Sequence, residues 1–509
     1  MTSKIGSRLA KNSIFNITRA LIAFPITLVI LPYTLHRLGS EEFAIWALAG
    51  VISSYVQLSD FGMTESLIRF FAEYRERNDN ERINQLLNTA LVIYFLILAV
   101  VGSLLLSALP LIVERVLHIP QQLAPKAVSV FYIAILLFCL NLLMSSFASL
   151  INGFQRMGHT NAISLLSTIM TAVGVFYFLS HGYGLMGLVY NNAIVTLFTV
   201  LANSLVAWRL FPEMRINPFR HFNREALGLI FGYSWKVQVS TVAHLLIFQI
   251  DRVLLSHFVG LEAVSIYEVA NRVASQARSF VATVFTPMIP AVSALHVSTD
   301  LAKIGGLYRR AVKYMGILAL SVTFVVIGLA KPFILTWVGA GYDESALTLQ
   351  LLMAIYLVNL LTGPGSYIMS GLNRPEVSMR SSVMAGVINV VCCLVLVKSL
   401  GYYGIIAGIG LSLLISAGYF IWMLHKSLPM LSWKLYRQAL LRPLLVAALL
   451  ALFLTGAQRF VPLSGYPALI AAGIFFFCAM SLSLSRGSYF DDFDRETLMM
   501  YLPFKGKRS

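Results

Sequence analysis

Residues 36–54, HRLGSEEFAIWALAGVISS, and residues 257–275, HFVGLEAVSIYEVANRVAS, are two versions of one segment. A constant shift of 221 residues brings Gly39 onto Gly260, Glu41 onto Glu262, Ile45 onto Ile266, Trp46 onto Tyr267 and Ser54 onto Ser275. Ser13 falls on Ser234 at the same shift. Further on, NGFQR at 152–156 matches SGLNR at 370–374, at a shift of 218. An apolar span and a Gly/Tyr turn follow each, HGYGLMG at 181–187 and GYYGIIAG at 401–408. Two matches in one order at nearly one shift mark a chain written twice.

Composition says what is repeated. Of 509 residues, 58% are hydrophobic and 12% charged, where a soluble chain carries about a quarter charged. The pattern is that of an all-α polytopic membrane protein. Spans of about 20 apolar residues are expected at 14–35, 43–67, 87–112, 128–151, 162–179, 185–208, 230–257, 264–292, 314–336, 347–371, 380–397, 403–424, 440–460 and 466–484. Six spans separate equivalent helices. An even number gives parallel repeats, a standard transporter architecture. The expected organisation is a six-helix lobe over 1–210, a second over 211–425, and two further helices with a tail over 426–509.

The net charge of +16 does not point to nucleic acid, because the basic residues gather in short segments between spans. With the N-terminus inside, about 27 Lys and Arg lie inside, 6 outside and 5 within spans. That bias puts both termini in the cytoplasm. The basic start, MTSKIGSRLAKNS, leads into a long run without a small-residue cleavage site, so a retained helix is expected rather than a signal peptide. Cys139, Cys392, Cys393 and Cys478 lie in apolar runs without metal or redox spacing.

Ionisable groups inside spans mark interior polar surfaces. Asn12, Asn16 and Arg19 share a face of span 1, and Ser53, Gln57, Asp60 and Thr64 a face of span 2. Lys236, Ser240, His244 and Asp251 do so on span 7, and Glu268, Arg272, Ser275 and Ser279 on span 8. These are equivalent helices of the two repeats, which suggests one cavity with polar walls. Its balance is cationic: Arg19, Lys236, Arg252, Arg272 and Arg278 against Asp60, Asp251 and Glu268. Such a cavity suits an anionic, phosphate-bearing cargo. The expected cavity residues are Asn16, Arg19, Gln57, Lys236, Ser240, Arg272 and Ser275; Asp60, His244, Asp251, Arg252 and Glu268 are candidates for coupling or gating. Each has a plainer alternative. Glu268 and Arg272 can neutralise each other at i, i+4, Asp251 can orient its helix, and His244 can simply pack. Pro25, Pro32, Pro287 and Pro290 can be hinges or fixed kinks.

No phosphate-binding GxxxxGK[ST] loop, HExxH or GxSxG is present. No cofactor or metal is expected. Loops of about twenty residues or fewer leave no room for a catalytic domain.

LHRLGSEEFAIWAL with VQLSDFGM at 35–48 and 56–63, DRVLLSHFVGLEAVSIYEVANRV at 251–273, and NGFQR resemble segments of the bacterial O-antigen and exopolysaccharide flippases. That branch shares a superfamily with multidrug extruders and the lipid II flippase. The resemblance covers most of 10–425 as a span pattern, and implies a V-shaped, MATE-like pair of bundles working by alternating access. It implies a bacterial inner-membrane protein that flips undecaprenyl-diphosphate-linked oligosaccharide to the periplasmic leaflet, drawing on an H+ or Na+ gradient. Membrane lipids, a polysaccharide polymerase and a chain-length regulator are the implied partners. The alternatives are a multidrug extruder of the same fold, whose cavity should be acidic, and a membrane glycosyltransferase or polymerase, which should carry a larger outer loop.

Overall fold

The computed structural model describes residues 2–285, 288, 292, 301–372, 374–429, 431–460, 463–486, 489, 490 and 494, without side chains at 2–24, 27, 219, 231–237, 240 and 301–303. Pro287 and Pro290 lie outside the described residues, as do the side chains of Asn12, Asn16, Arg19, Lys236 and Ser240.

The first repeated segment lies on α1 (Thr2–Val56), a helix broken only at Gly39 (φ 78°, ψ 171°). The expected loop between spans 1 and 2 is therefore a kink. Gly260, its repeat partner, also has positive φ (122°), between α9 (Ile250–Phe258) and α10 (Leu261–Phe285). A Cβ at either glycine would meet nothing within 4 Å. The backbone conformation, not crowding, requires glycine at both.

The second match is equally physical. At the end of α4 (Ala124–Gly153), Phe154 N–H donates to Leu150 O at 2.9 Å and Arg156 N–H to Ile151 O at 3.1 Å. At the end of α12 (Asp343–Gly371), Leu372 donates to Ile368 O at 2.9 Å and Arg374 to Met369 O at 2.8 Å. One helix-closing turn is thus made twice.

Two expected spans are corrected. The run 43–67 is not one helix: α1 ends at Val56, Gln57–Asp60 form a 3-10 turn, and Phe61 and Gly62 take positive φ before α2 (Met63–Glu76). Arg69 and Arg75 lie on α2. The run 230–257 breaks at Gln249 (φ −126°, ψ −27°), which divides α8 (Arg224–Phe248) from α9. Neither expected polar stripe, Ser53 to Thr64 or Lys236 to Asp251, therefore follows one continuous helix.

The other helices are α3 (Asn80–Leu111), α5 (Met157–Ser180), α6 (Gly184–Leu210), α7 (Pro218–His221), α11 (Leu301–Val338), α13 (Glu376–Leu400), α14 (Tyr402–Ser427), α15 (Lys434–Ala457) and α16 (Tyr466–Ser485). Every regular element among the described residues is helical, and ten stretches of helix there are long and apolar enough to cross a membrane. Leu104, Leu449 and Leu452 are more than 60% exposed on such helices. Outward leucine is costly in water and natural in lipid. The chain is a multi-pass membrane protein.

The contacts divide into two compact units, 1–269 with 382–412, and 270–381 with 413–509. The first has a core around Met63, Leu67, Phe71, Leu86, Tyr94 and Phe211. The second packs Tyr308, Ile368, Phe420 and Leu424 in one cluster, and Leu320, Ala447, Phe476 and Met480 in another.

Candidate functional site

The polar interior of the first unit begins at the Gln249 break. A helix end leaves carbonyls without intrahelical donors. Here side chains supply the donors: Asn389 Nδ2 reaches Leu246 O at 2.9 Å and Ile247 O at 3.5 Å, while Arg252 Nη1 reaches Phe248 O at 3.4 Å. Gly386, one turn before Asn389 on α13, lets that helix close in. A Cβ there would lie 3.3 Å from Ala243 O.

The same two side chains organise the charges. Tyr267 Oη donates to Asp251 Oδ2 at 2.9 Å, and Asn389 Nδ2 to Asp251 Oδ1 at 3.3 Å. Arg252 Nε donates to Glu268 Oε2 at 2.6 Å, and its Nη1 to Gln249 Oε1 at 2.5 Å. Consecutive residues of α9 thus meet consecutive residues of α10: the acid meets a phenol and the base meets an acid. Asp251 is fully buried, and Arg252 and Glu268 nearly so. Charges at this depth are tolerable only when paired and hydrogen-bonded. Glu268 takes Arg252 as its salt-bridge partner, across two helices. Tyr55, on α1, lies within electrostatic reach of Asp251 and Arg252. Its buried hydroxyl has no hydrogen-bond partner among the described residues.

Asp60 belongs to a second cluster. It stands one turn before Thr64, ahead of Gly62 at the N-cap of α2, and accepts from Thr64 Oγ1 at 2.7 Å and Thr64 N at 3.3 Å. Tyr94 Oη, from the buried face of α3, donates to the same carboxylate at 2.5 Å. Gln238 of α8 donates to Leu58 O at 2.8 Å, tying that helix to the 3-10 turn. Gln57 is exposed on the turn, and His244 is exposed beside the Phe248 ring at 4.8 Å.

Arg272 and Ser275 belong to the second unit. Both are half-buried, and Ser275 Oγ donates to Arg272 O at 3.3 Å. Nearby Asn271 accepts from Tyr356 Oη at 2.8 Å, and Arg278 lies over the Tyr356 ring at 5.3 Å. Among the described residues no three His, Cys, Asp or Glu side chains gather as a metal site.

Sequence reasoning missed Tyr267, Asn389, Gln249 and Tyr94 as partners. Asn389 had a readable signal, an amide inside the apolar run VINVVCCLVLV at 387–397. The tyrosines had none, because a phenol in a span reads as another aromatic.

Solved proteins carry this fold. The structure "Lipid II flippase MurJ, inward closed conformation" aligns with a TM-score of 0.72 at 15% identity, over 94% of this chain and 99% of that one. An inward-facing multidrug resistance MATE transporter of the MOP superfamily aligns with a TM-score of 0.69 at 15% identity, over 82% and 99%. The fold these structures share with the chain is a MATE-like, all-helical membrane fold. Within that class the chain belongs to the family described as "Polysaccharide biosynthesis protein", which it matches over residues 9–296. Among its relatives are "Uncharacterized membrane protein EpsK" of Bacillus subtilis, 23% identical over 90% of this chain and 91% of that protein, and "Putative O-antigen transporter" of Shigella flexneri, 23% identical over 69% and 82%.

Proposed function

We propose that this protein flips undecaprenyl-diphosphate-linked oligosaccharide from the cytoplasmic to the periplasmic leaflet of a bacterial inner membrane, for surface polysaccharide assembly. The observation that carries the reading is the family match over residues 9–296. The relative named as an O-antigen transporter and the fold shared with a lipid II flippase support it. In this reading both termini are cytoplasmic, and lobes at 1–210 and 211–425 alternate access while 426–509 is appended. Arg19, Lys236 and Arg272, with Asn16, Gln57, Ser240 and Ser275, line the cargo path, where cations meet the diphosphate. A polymerase and a chain-length regulator receive the product.

Coupling to H+ or Na+ is assigned to Asp251. Its full burial, two neutral donors and the nearby Tyr55 hydroxyl, without a hydrogen-bond partner among the described residues, support that role. Asp60, His244, Arg252 and Glu268 serve the gate.

The test is flipping in liposomes, with a fluorescent lipid-diphosphate oligosaccharide and a quencher on one side. Protein-dependent movement is expected, lost in the R19A/K236A/R272A variant with melting temperature preserved. No movement across several glycans, with drug efflux from the same vesicles, overturns the reading for an extruder.

A further inference from the structure

The segment 211–223 connects α6 to α8 and is strapped to the first turns of α3. Asn84 Nδ2 donates to Glu213 O at 3.0 Å and Asn84 Oδ1 accepts from Arg215 N at 2.7 Å. One turn on, Asn88 repeats the clasp, with Arg215 O at 2.7 Å and Asn217 N at 2.8 Å. Thr89 Oγ1 accepts from Asn223 N at 3.0 Å. All three clasping side chains are buried. The polar turns of α3 stop there, and Ala90 begins its apolar run. The linker therefore lies along the boundary between water and hydrocarbon.

An open apolar groove of about 660 Å³ lies beneath it. Leu91, Val92, Phe95 and Leu96 line it from one face of α3, Leu143 from α4, and Phe222 from the linker. The volume is within the about 300–1,000 Å³ of ligand pockets. Phe95 and Leu96 are strongly exposed, so the groove opens outward, not into the core. The linker presents Arg215 and Arg220, and the first residue of α8 adds Arg224, all exposed. Of the acids beside them, Glu225 of α8 is paired with Arg82 at 2.7 Å, while Glu213 of the linker is exposed. The surface is thus apolar below and net cationic above, the arrangement that holds an anionic lipid at an interface.

We infer that this groove binds an anionic phospholipid, with one acyl chain along α3 and α4 and the phosphate at Arg215, Arg220 and Arg224. A long polyprenyl tail overflows such a groove, and a single acyl chain does not. The leaflet is the inner one, which rests on the orientation proposed above; the binding itself does not depend on transport. The bound lipid reinforces the clasp that fixes the linker.

The delipidated full-length protein is titrated with phosphatidylglycerol or phosphatidylcholine and read by native mass spectrometry. Phosphatidylglycerol is expected to bind at least tenfold more tightly. The preference is expected to vanish in R215Q/R220Q/R224Q, whose side chains are exposed, and to persist in R309Q/R310Q, also exposed. Val92→Trp, or Leu96→Trp if the first lowers the melting temperature, is expected to cut occupancy by a similar factor. Equal binding of the two lipids, equal loss in R309Q/R310Q, or indifference to the groove-filling variants overturns the site. Displacement of phosphatidylglycerol by a polyprenyl phosphate at this groove overturns the assignment to phospholipid. A flipping assay is not involved, so failure here leaves the proposed function standing, and the reverse.

Discussion

Arg252 and Asp251 are neighbours in the chain but answer to different partners, and their substitutions should differ accordingly. Glu268→Ala leaves Arg252 buried with Gln249 and one carbonyl. Removing one partner of a buried pair costs about 3–5 kcal/mol. A fall of that size in unfolding free energy is expected, and E268A/R252M should recover much of it. A denaturant or thermal series on the purified protein checks this; equal stability of E268A and wild type refutes the buried pair. Gly39 provides a second residue-scale test. Its φ of 78° with ψ of 171° is a region that only glycine enters without strain, at about 1–3 kcal/mol for other residues. Gly39→Ala is expected to lower stability by that amount although its Cβ has open space, whereas Gly50→Ala, equally uncrowded but without positive φ, should be neutral or mildly stabilising.

Elements explain what could be read in advance. The repeat was legible because its two glycines and its two helix-closing turns are backbone requirements, and such requirements constrain residue type directly. Spans were legible because lipid demands length and apolarity. The breaks were not. Gln57 reads as one more polar residue on a stripe and Gln249 lies off the stripe of its span, yet each stands where a helix stops. Gln249 is unremarkable in sequence because the device that allows the break, Asn389, comes 140 residues later. The site was half legible for the same reason. Residue types named the costly charges, but their pairing depends on which helices meet. The clasp at Asn84 and Asn88 is an element-scale prediction. Each carboxamide satisfies backbone groups of the linker on both sides, and an orphaned buried backbone group costs about 1–3 kcal/mol. N84A/N88A is expected to raise hydrogen exchange at 213–223 by at least tenfold while the middle of α3 stays protected. Unchanged exchange there would mean that the linker is held by something other than these amides.

At the scale of the whole molecule, the proposed ion coupling requires a gradient to enter the conformational cycle at one place. Asp251 offers a carboxylate that is fully enclosed by protein, and its donors, a phenol and an amide, are both neutral. The guanidinium beside it in sequence is committed elsewhere. A carboxylate satisfied by neutral groups can exchange a proton or a small cation without dismantling a salt bridge. One locked to Arg252 could not do so without leaving a buried charge behind. Asp251→Asn keeps the shape, with its carbonyl oxygen facing Asn389 and its amide nitrogen facing the Tyr267 hydroxyl, which can turn to accept, and it fixes the side chain as neutral. The expected result in liposomes is flipping that becomes insensitive to an imposed pH or Na+ gradient, with residual downhill movement and an unchanged melting temperature. Asp60→Asn, before the start of α2 with the Thr64 hydroxyl and amide and the Tyr94 phenol as donors to one oxygen, is expected to keep gradient dependence and nearly all of its stability, because an asparagine oxygen can accept from the same groups. Gradient dependence that survives in D251N and disappears in D60N would move the coupling site from the α9–α10 crossing to the 3-10 turn.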